Sequence, residues 1–186
     1  MLYSIVGLLV IILDQAVKYW VQNTLFGTDI VKFIPGVISL VNVHNDGAAF
    51  SFLSGSGARI YFIIATGVFT VLVIIALATN FISGKVSRWS LVLVTAGGLA
   101  NCIDRVIYGY VQDMFKVELF NFAIFNVADV FITVFAIVFV LAMIFEKQIG
   151  IKLNIIGCIG ALALILTGVI SEKDALKSCL LYTSDA

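Results

Sequence analysis

Long apolar runs alternate with polar interruptions along this chain. Residues 2–21, 58–80, 89–103 and 124–145 are dominated by Leu, Ile, Val, Phe and Ala. Each is long enough, or nearly so, for a helix to cross a hydrocarbon core. The stretches between them differ. Gly27, Asp29, Pro35, Gly36, Asn42, His44, Asn45, Asp46 and Gly47 punctuate residues 23–57, and Ser54–Gly57 reads as a flexible joint into the next run. Within this stretch Val37–Val43 is β-branched and partly alternating, which predicts a short strand outside the bilayer. Gly109, Gln112, Asp113, Lys116, Glu118 and Asn121 interrupt residues 106–123, where Phe115, Leu119, Phe120 and Phe122 suit a segment lying on the membrane surface. The pattern predicts an all-α membrane protein: four transmembrane helices, a small extracytoplasmic β-element and an interfacial loop.

Composition agrees. Of 186 residues 62% are hydrophobic and 12% charged, and mean hydropathy is +1.15. A soluble domain of this size has no use for so much apolar surface, so the surplus faces lipid. The first run lacks a basic leader and a small-residue cleavage site and carries Asp14 and Lys18, so it reads as a retained helix. Net charge is zero, which gives no reason to expect a nucleic-acid partner. Cys102, Cys158 and Cys179 have neither disulfide nor metal-ligand spacing, and His44 is the one histidine. No metal and no cofactor are expected.

Residues 1–150 read as one four-helix domain and residues 151–186 as an atypical tail. Residues 153–170 are nearly long enough for a fifth span, and length alone leaves a surface segment equally open. Cys179–Ala186 reads like translated sequencing-adaptor sequence, is expected to be non-native and is assigned no function.

Two stretches carry the candidate chemistry. Gly97-Gly98-Leu99-Ala100-Asn101-Cys102-Ile103-Asp104-Arg105 ends the third run, and Phe125-Asn126-Val127-Ala128-Asp129 opens the fourth. In each an Asn stands one helical turn before an Asp. Ionisable residues in membrane spans are costly and point to function. Asp104 and Asp129, at facing ends of consecutive spans, suggest a carboxylate pair that splits its pKa values, one group activating water and the other protonating a leaving amine. Asn101 and Asn126 are placed to orient the carboxylates, and Gly97 and Gly98 thin a helix face. Asp14 and Lys18 share a face and can pair. Plainer readings stand beside these: Lys18 snorkelling to the interface, Asp129 or Asn126 capping a helix, and Asp104 pairing with Arg105. A small transporter or channel subunit using the Asp pair as a proton or ion relay is the rival function, and a scaffold with capped helices the plainest.

Counting spans puts the Asp14, Asp104 and Asp129 ends on one side and Lys85, Arg88, Lys147 and Lys152 on the other. With Lys18 and Arg105 set aside as site residues, the positive-inside rule favours a cytoplasmic N-terminus and an outward-facing active end.

Taken together, Asp14-x-x-x-Lys18, Asn45-x-Gly47-Ala48-Ala49-Phe50-Ser51, Asn101-x-x-Asp104-Arg105, Val111-x-Asp113 and Phe125-Asn126-x-Ala128-Asp129 resemble the signal peptidase II family of bacterial aspartic intramembrane proteases. The resemblance spans roughly residues 5–147. Ala100 stands where the family usually has Gly, and Met114 where Phe is common. It implies four transmembrane helices, an extracytoplasmic β-cradle, and cleavage of a prolipoprotein signal peptide just before a diacylglyceryl-modified cysteine. Asp104 and Asp129 take the catalytic role by motif position. Asp14, Lys18, Asn45, Gly97, Asn101, Arg105, Asn126 and Ala128 match supporting or substrate-binding positions. The implied setting is the bacterial cytoplasmic (inner) membrane, with the active site facing the periplasmic or outer side. The implied partners are the lipidated precursor and membrane lipid, and the chain is expected to act as a monomer.

Overall fold

The computed structural model describes residues 2–25, 30–45, 56–82 and 84–146. The Gly47–Ser51 motif and the 151–186 tail lie outside the described residues. The elements run α1 (Leu2–Thr24), β1 (Val31–Ile34), β2 (Ile38–Asn45), α2 (Ser56–Ala78), α3 (Lys85–Ile107), β3 (Val111–Val117) and α4 (Val127–Glu146). α2 already begins inside the 54–57 stretch expected to be a joint. All four helices are long and apolar enough to cross a membrane, and 23 residues of helix span about 35 Å. The outward faces of α1 and α2 stay apolar and exposed, as at Leu8, Ile12, Ile64, Val68 and Ile75. The chain is a multi-pass membrane protein.

Pair contacts fix the directions. Tyr3 and Trp89, both near helix starts, meet at 4.5 Å between ring centroids, so α1 and α3 run parallel. α2 runs against α3. Arg59 near its start donates to Val106 O at 3.1 Å, and Arg88 near the start of α3 donates to Leu77 O at 3.1 Å. The ends of α1 and α3 and the start of α4 therefore share one end of the bundle. The other end is packed by Phe69, Val73, Leu91, Val94, Ile132, Ala136, Phe139 and Met143. Where α3 crosses α4, Gly97 is required: a Cβ there would lie 2.7 Å from both Ala128 O and Ile132 Cγ1.

The predicted strand is β2, but it does not stand alone. Residues 106–123, expected to be only an interfacial loop, supply β3, and the sheet is antiparallel in the order β1-β2-β3. Exposed Leu119, Phe120 and Phe122 follow β3, where the amphipathic pattern put them. Leu40 pairs with Phe115 and Val43 with Asp113, so Val41 and Asn42 both face Met114 across a bulge. Leu40 and Met114 pack with Val21 and Leu25 and seat the sheet on the end of α1. Met114 is fully buried there, and so is Ala100 in α3.

Candidate active site

The start of α4 builds the site from its own capping. Asn126 precedes the first helical residue, and its Oδ1 accepts from Asp129 N at 2.9 Å. Asp129 Oδ2 returns the bond, accepting from Asn126 N at 3.1 Å. This reciprocal pair is a capping box. It satisfies two of the orphan amides at a helix N-terminus, where negative charge is favoured. A third, Ala128 N, donates to Asp14 Oδ1 at 2.8 Å. The helix-cap reading of Asp129 is therefore realised, and it also holds the carboxylate still. Its second oxygen, Oδ1, accepts from Asn101 Nδ2 at 2.8 Å.

Lys18 sits between carboxylates rather than at the interface. Its Nζ lies 2.7 Å from Asp14 Oδ2 and 2.7 Å from Asp104 Oδ2, and it donates to Asn101 Oδ1 at 2.9 Å. The group is buried, with Lys18 at 4% exposure, Asp14 at 0% and Asp104 at 1%. Burying an ammonium is tolerable only with such partners. Asp104 makes its ion pair with Lys18 and not with Arg105. Besides Lys18, its Oδ1 accepts from Gln15 Nε2 at 2.7 Å, and Gln112 N points at its Oδ2 at 3.4 Å. Both oxygens are engaged by the α1 side of the bundle. Arg105 instead lies over the Phe62 ring, 4.5 Å from its centroid, which ties α3 to α2.

The carboxylate that shares a partner with Asp129 is Asp113. Asn126 Nδ2 donates to Asp113 Oδ1 at 2.7 Å and to Asn101 Oδ1 at 3.1 Å. Asn45 Nδ2 donates to Asp113 Oδ2 at 2.8 Å. Asp113 is also the acidic group that bears most strongly on Asp129, and Arg105 feels those two carboxylates before any other charge. Burial raises the Asp113 carboxyl above the usual range. The Asn45 and Asn126 hydrogen bonds, then Lys18 and Arg105, oppose it.

The cluster thus holds Asp14, Lys18, Asn45, Asn101, Asp104, Arg105, Asn126, Asp129 and the Ala128 amide, with Gly97 beneath setting the helix spacing. Three residues outside that set belong to it: Gln15, Gln112 and Asp113. Asp113 had a signal, since it lies in the Val111-x-Asp113 motif. Gln15 had only its place beside Asp14, and Gln112 had none.

Four carboxyls meet two cations here, all of them buried. Two apolar clefts reach the cluster. Phe62, Thr66, Phe69, Val94, Gly98 and Ile132 line one that opens on Asn101 and Arg105. Phe122, Ile124, Phe125, Val130, Thr133 and Val134 line another that ends at Asp129. The first has room only for about a water; the second is the wider, and a mostly apolar molecule can reach Asp129 along it.

Comparison with known proteins is consistent with this geometry. The family model described as signal peptidase (SPase) II matches residues 6–145. The lipoprotein signal peptidase of Latilactobacillus sakei subsp. sakei is 41% identical over 152 residues, covering 80% of this chain and 97% of that protein. The lipoprotein signal peptidase of Streptococcus thermophilus is 40% identical over 139 residues, covering 73% and 88%. Two solved structures described as a bacterial membrane enzyme, determined in meso, superpose with TM-scores of 0.71 and 0.69 at 27% and 29% identity. They cover 81% and 76% of this chain and 92% and 91% of their own.

Proposed function

The chain belongs to the signal peptidase II family, and from that premise we propose that Asp113 and Asp129 are its catalytic pair, with Asp104 as a supporting group. The protein is a membrane endopeptidase that removes signal peptides from prolipoproteins. We further assign its cut to the bond just before a diacylglyceryl-modified cysteine. Such a residue places the scissile bond at the bilayer surface, the level of the strand that carries Asp113.

Chemistry follows from the pair. The ionised carboxylate takes a proton from water as the water oxygen bonds to the peptide carbonyl carbon. The protonated carboxyl gives its proton to the carbonyl oxygen, forming a gem-diol. As that intermediate collapses and the C–N bond breaks, one hydroxyl gives its proton to the carboxylate left ionised, and the other carboxyl gives its proton to the departing amine, which restores the starting pair. Neither a nucleophilic side chain nor a covalent intermediate is required. Asn126 keeps the two carboxyls in register, and Asn101 holds Asp129 on its far side. Lys18 balances Asp14 and Asp104 beneath the pair.

The observation that carries the reassignment from Asp104 to Asp113 is the Asn126 bridge: one residue donates to both Asp113 and Asp129. Asp104 meanwhile has its oxygens occupied by Lys18 and Gln15. The test is turnover of a lipidated prolipoprotein by purified, folded Asp104→Asn, Asp113→Asn and Asp129→Asn proteins. Asp113→Asn and Asp129→Asn should each lose about 10²–10⁴-fold or more in kcat, the usual worth of a general acid or base. Asp104→Asn should keep measurable turnover and lose thermal stability. Normal turnover by Asp113→Asn, with none by folded Asp104→Asn, would return the role to Asp104.

A further inference from the structure

Gln112 is a buried polar residue next to Asp113, and its side chain hydrogen-bonds to neither carboxyl of the proposed pair. At 6% exposure, its Nε2 donates to Lys18 O at 3.2 Å and to Asn42 Oδ1 at 3.3 Å. Asn42 in turn donates from Nδ2 to Leu25 O at 3.2 Å. One side-chain amide therefore ties β3 to the main chain of α1, at the residue that carries the buried ammonium, and to β2. Asn42 makes this link from within the β2 bulge, where the strand ladder has slipped register. Backbone pairing alone fixes the neighbouring strand poorly at a bulge. The two amides replace that missing constraint immediately beside Asp113.

We infer that Gln112 is a positioning residue for the reaction: together with Asn42 it sets the depth at which Asp113 meets Asp129. The inference rests on Asp113 belonging to the catalytic pair. Both acceptors are carbonyl oxygens, so the position needs a two-proton donor. Met fills nearly the same volume and donates nothing. Glu would set a carboxylate against two acceptors. A residue that only stabilised the sheet would show its loss in the melting temperature. A residue that sets the reach of a reacting carboxyl shows it in kcat, because displacement of a reacting group by about 1 Å costs on the order of 10²-fold.

The test measures kcat and KM on a lipidated prolipoprotein, with thermal unfolding in the same detergent, for Gln112→Met, Asn42→Ala and Asp113→Asn. Gln112→Met should lower kcat about 10–100-fold, keep KM within about twofold, and stay slow when assayed well below its melting temperature. Asn42→Ala should show the same split, and it carries the test if Gln112→Met does not insert. Wild-type kcat in folded Gln112→Met, or a loss confined to KM, overturns the positioning role. If Asp113→Asn is inactive while Gln112→Met is normal, the positioning role alone falls. If Asp113→Asn turns over normally, the pair assignment falls and takes this inference with it.

Discussion

At the scale of single residues, Asp113 makes a prediction of its own. Burial is the main influence on its carboxyl and raises it, against hydrogen bonds from Asn45 and Asn126 and the charges of Lys18 and Arg105. Asp129 faces it across Asn126. An acid whose folded pKa is raised favours folding when protonated. Its contribution is complete below the unfolded value of about 3.9 and is lost as pH climbs through the folded value. Asp113→Asn removes the titration and keeps an amide in its place. Melting in detergent should show wild type losing more stability than Asp113→Asn does as pH rises above about 4. Parallel curves for the two proteins across that range would contradict the burial account.

At the scale of elements, the crossing of α3 and α4 joins stability to catalysis. Gly97 leaves no room for a methyl, because the nearest atom on one side is the Ala128 carbonyl, which belongs to backbone and cannot rotate away. That turn of α4 also carries Asp129 and the amide bound by Asp14. Gly97→Ala should therefore cost about 1–3 kcal/mol as an overpacked contact, and it should lower kcat by shifting Asp129. Gly98→Ala serves as the control, since its Cβ would meet only Thr66 Cγ2 at 3.6 Å. Equal melting temperatures for both variants would refute the close-approach reading. The same crossing shows what could be read in advance. The helices were legible because lipid-facing helices are apolar on most sides, and the Asn-x-x-Asp spacing was legible because it repeats. β1 and β3 were not. Their strands are short, and Val111–Val117 carries Gln112 and Asp113 in an apolar pattern because those two turn inward to a polar site, while Lys116 stays exposed. The link from Asp113 through Asn126 to Asp129 is hidden in the sequence for the same reason. Sequence spacing puts Asp104 and Asp129 at facing helix ends, but only the antiparallel pairing of β3 with β2 brings Asp113 under Asn126.

At the scale of the whole molecule, polarity is concentrated at one end. Asp14, Lys18, Asp104, Arg105, Asp113 and Asp129 gather where α1 and α3 finish and α4 starts, while the opposite half of the bundle is closed by Phe69, Val73, Phe139 and Met143. A proton or ion relay needs ionisable or wet groups through the full depth of the bilayer. Among the described residues the buried charges stop near the middle of α1, at Asp14. Processing a peptide that is itself half in the membrane needs polar chemistry at one face only, which this arrangement supplies. We propose that the cluster end faces outward, where the lipidated cysteine of a precursor emerges. Lys85 and Arg88 open α3 at the end remote from the cluster, which favours that end in the cytoplasm. With the native cysteines replaced by serine, a membrane-impermeant thiol reagent applied to intact cells should label Phe120→Cys, in the exposed stretch between β3 and α4. It should label Lys85→Cys only after the cells are opened. The reverse pattern would turn the active end inward, away from precursors whose lipidated cysteine emerges on the outer face, and would leave the carboxylate pair without access to its substrate.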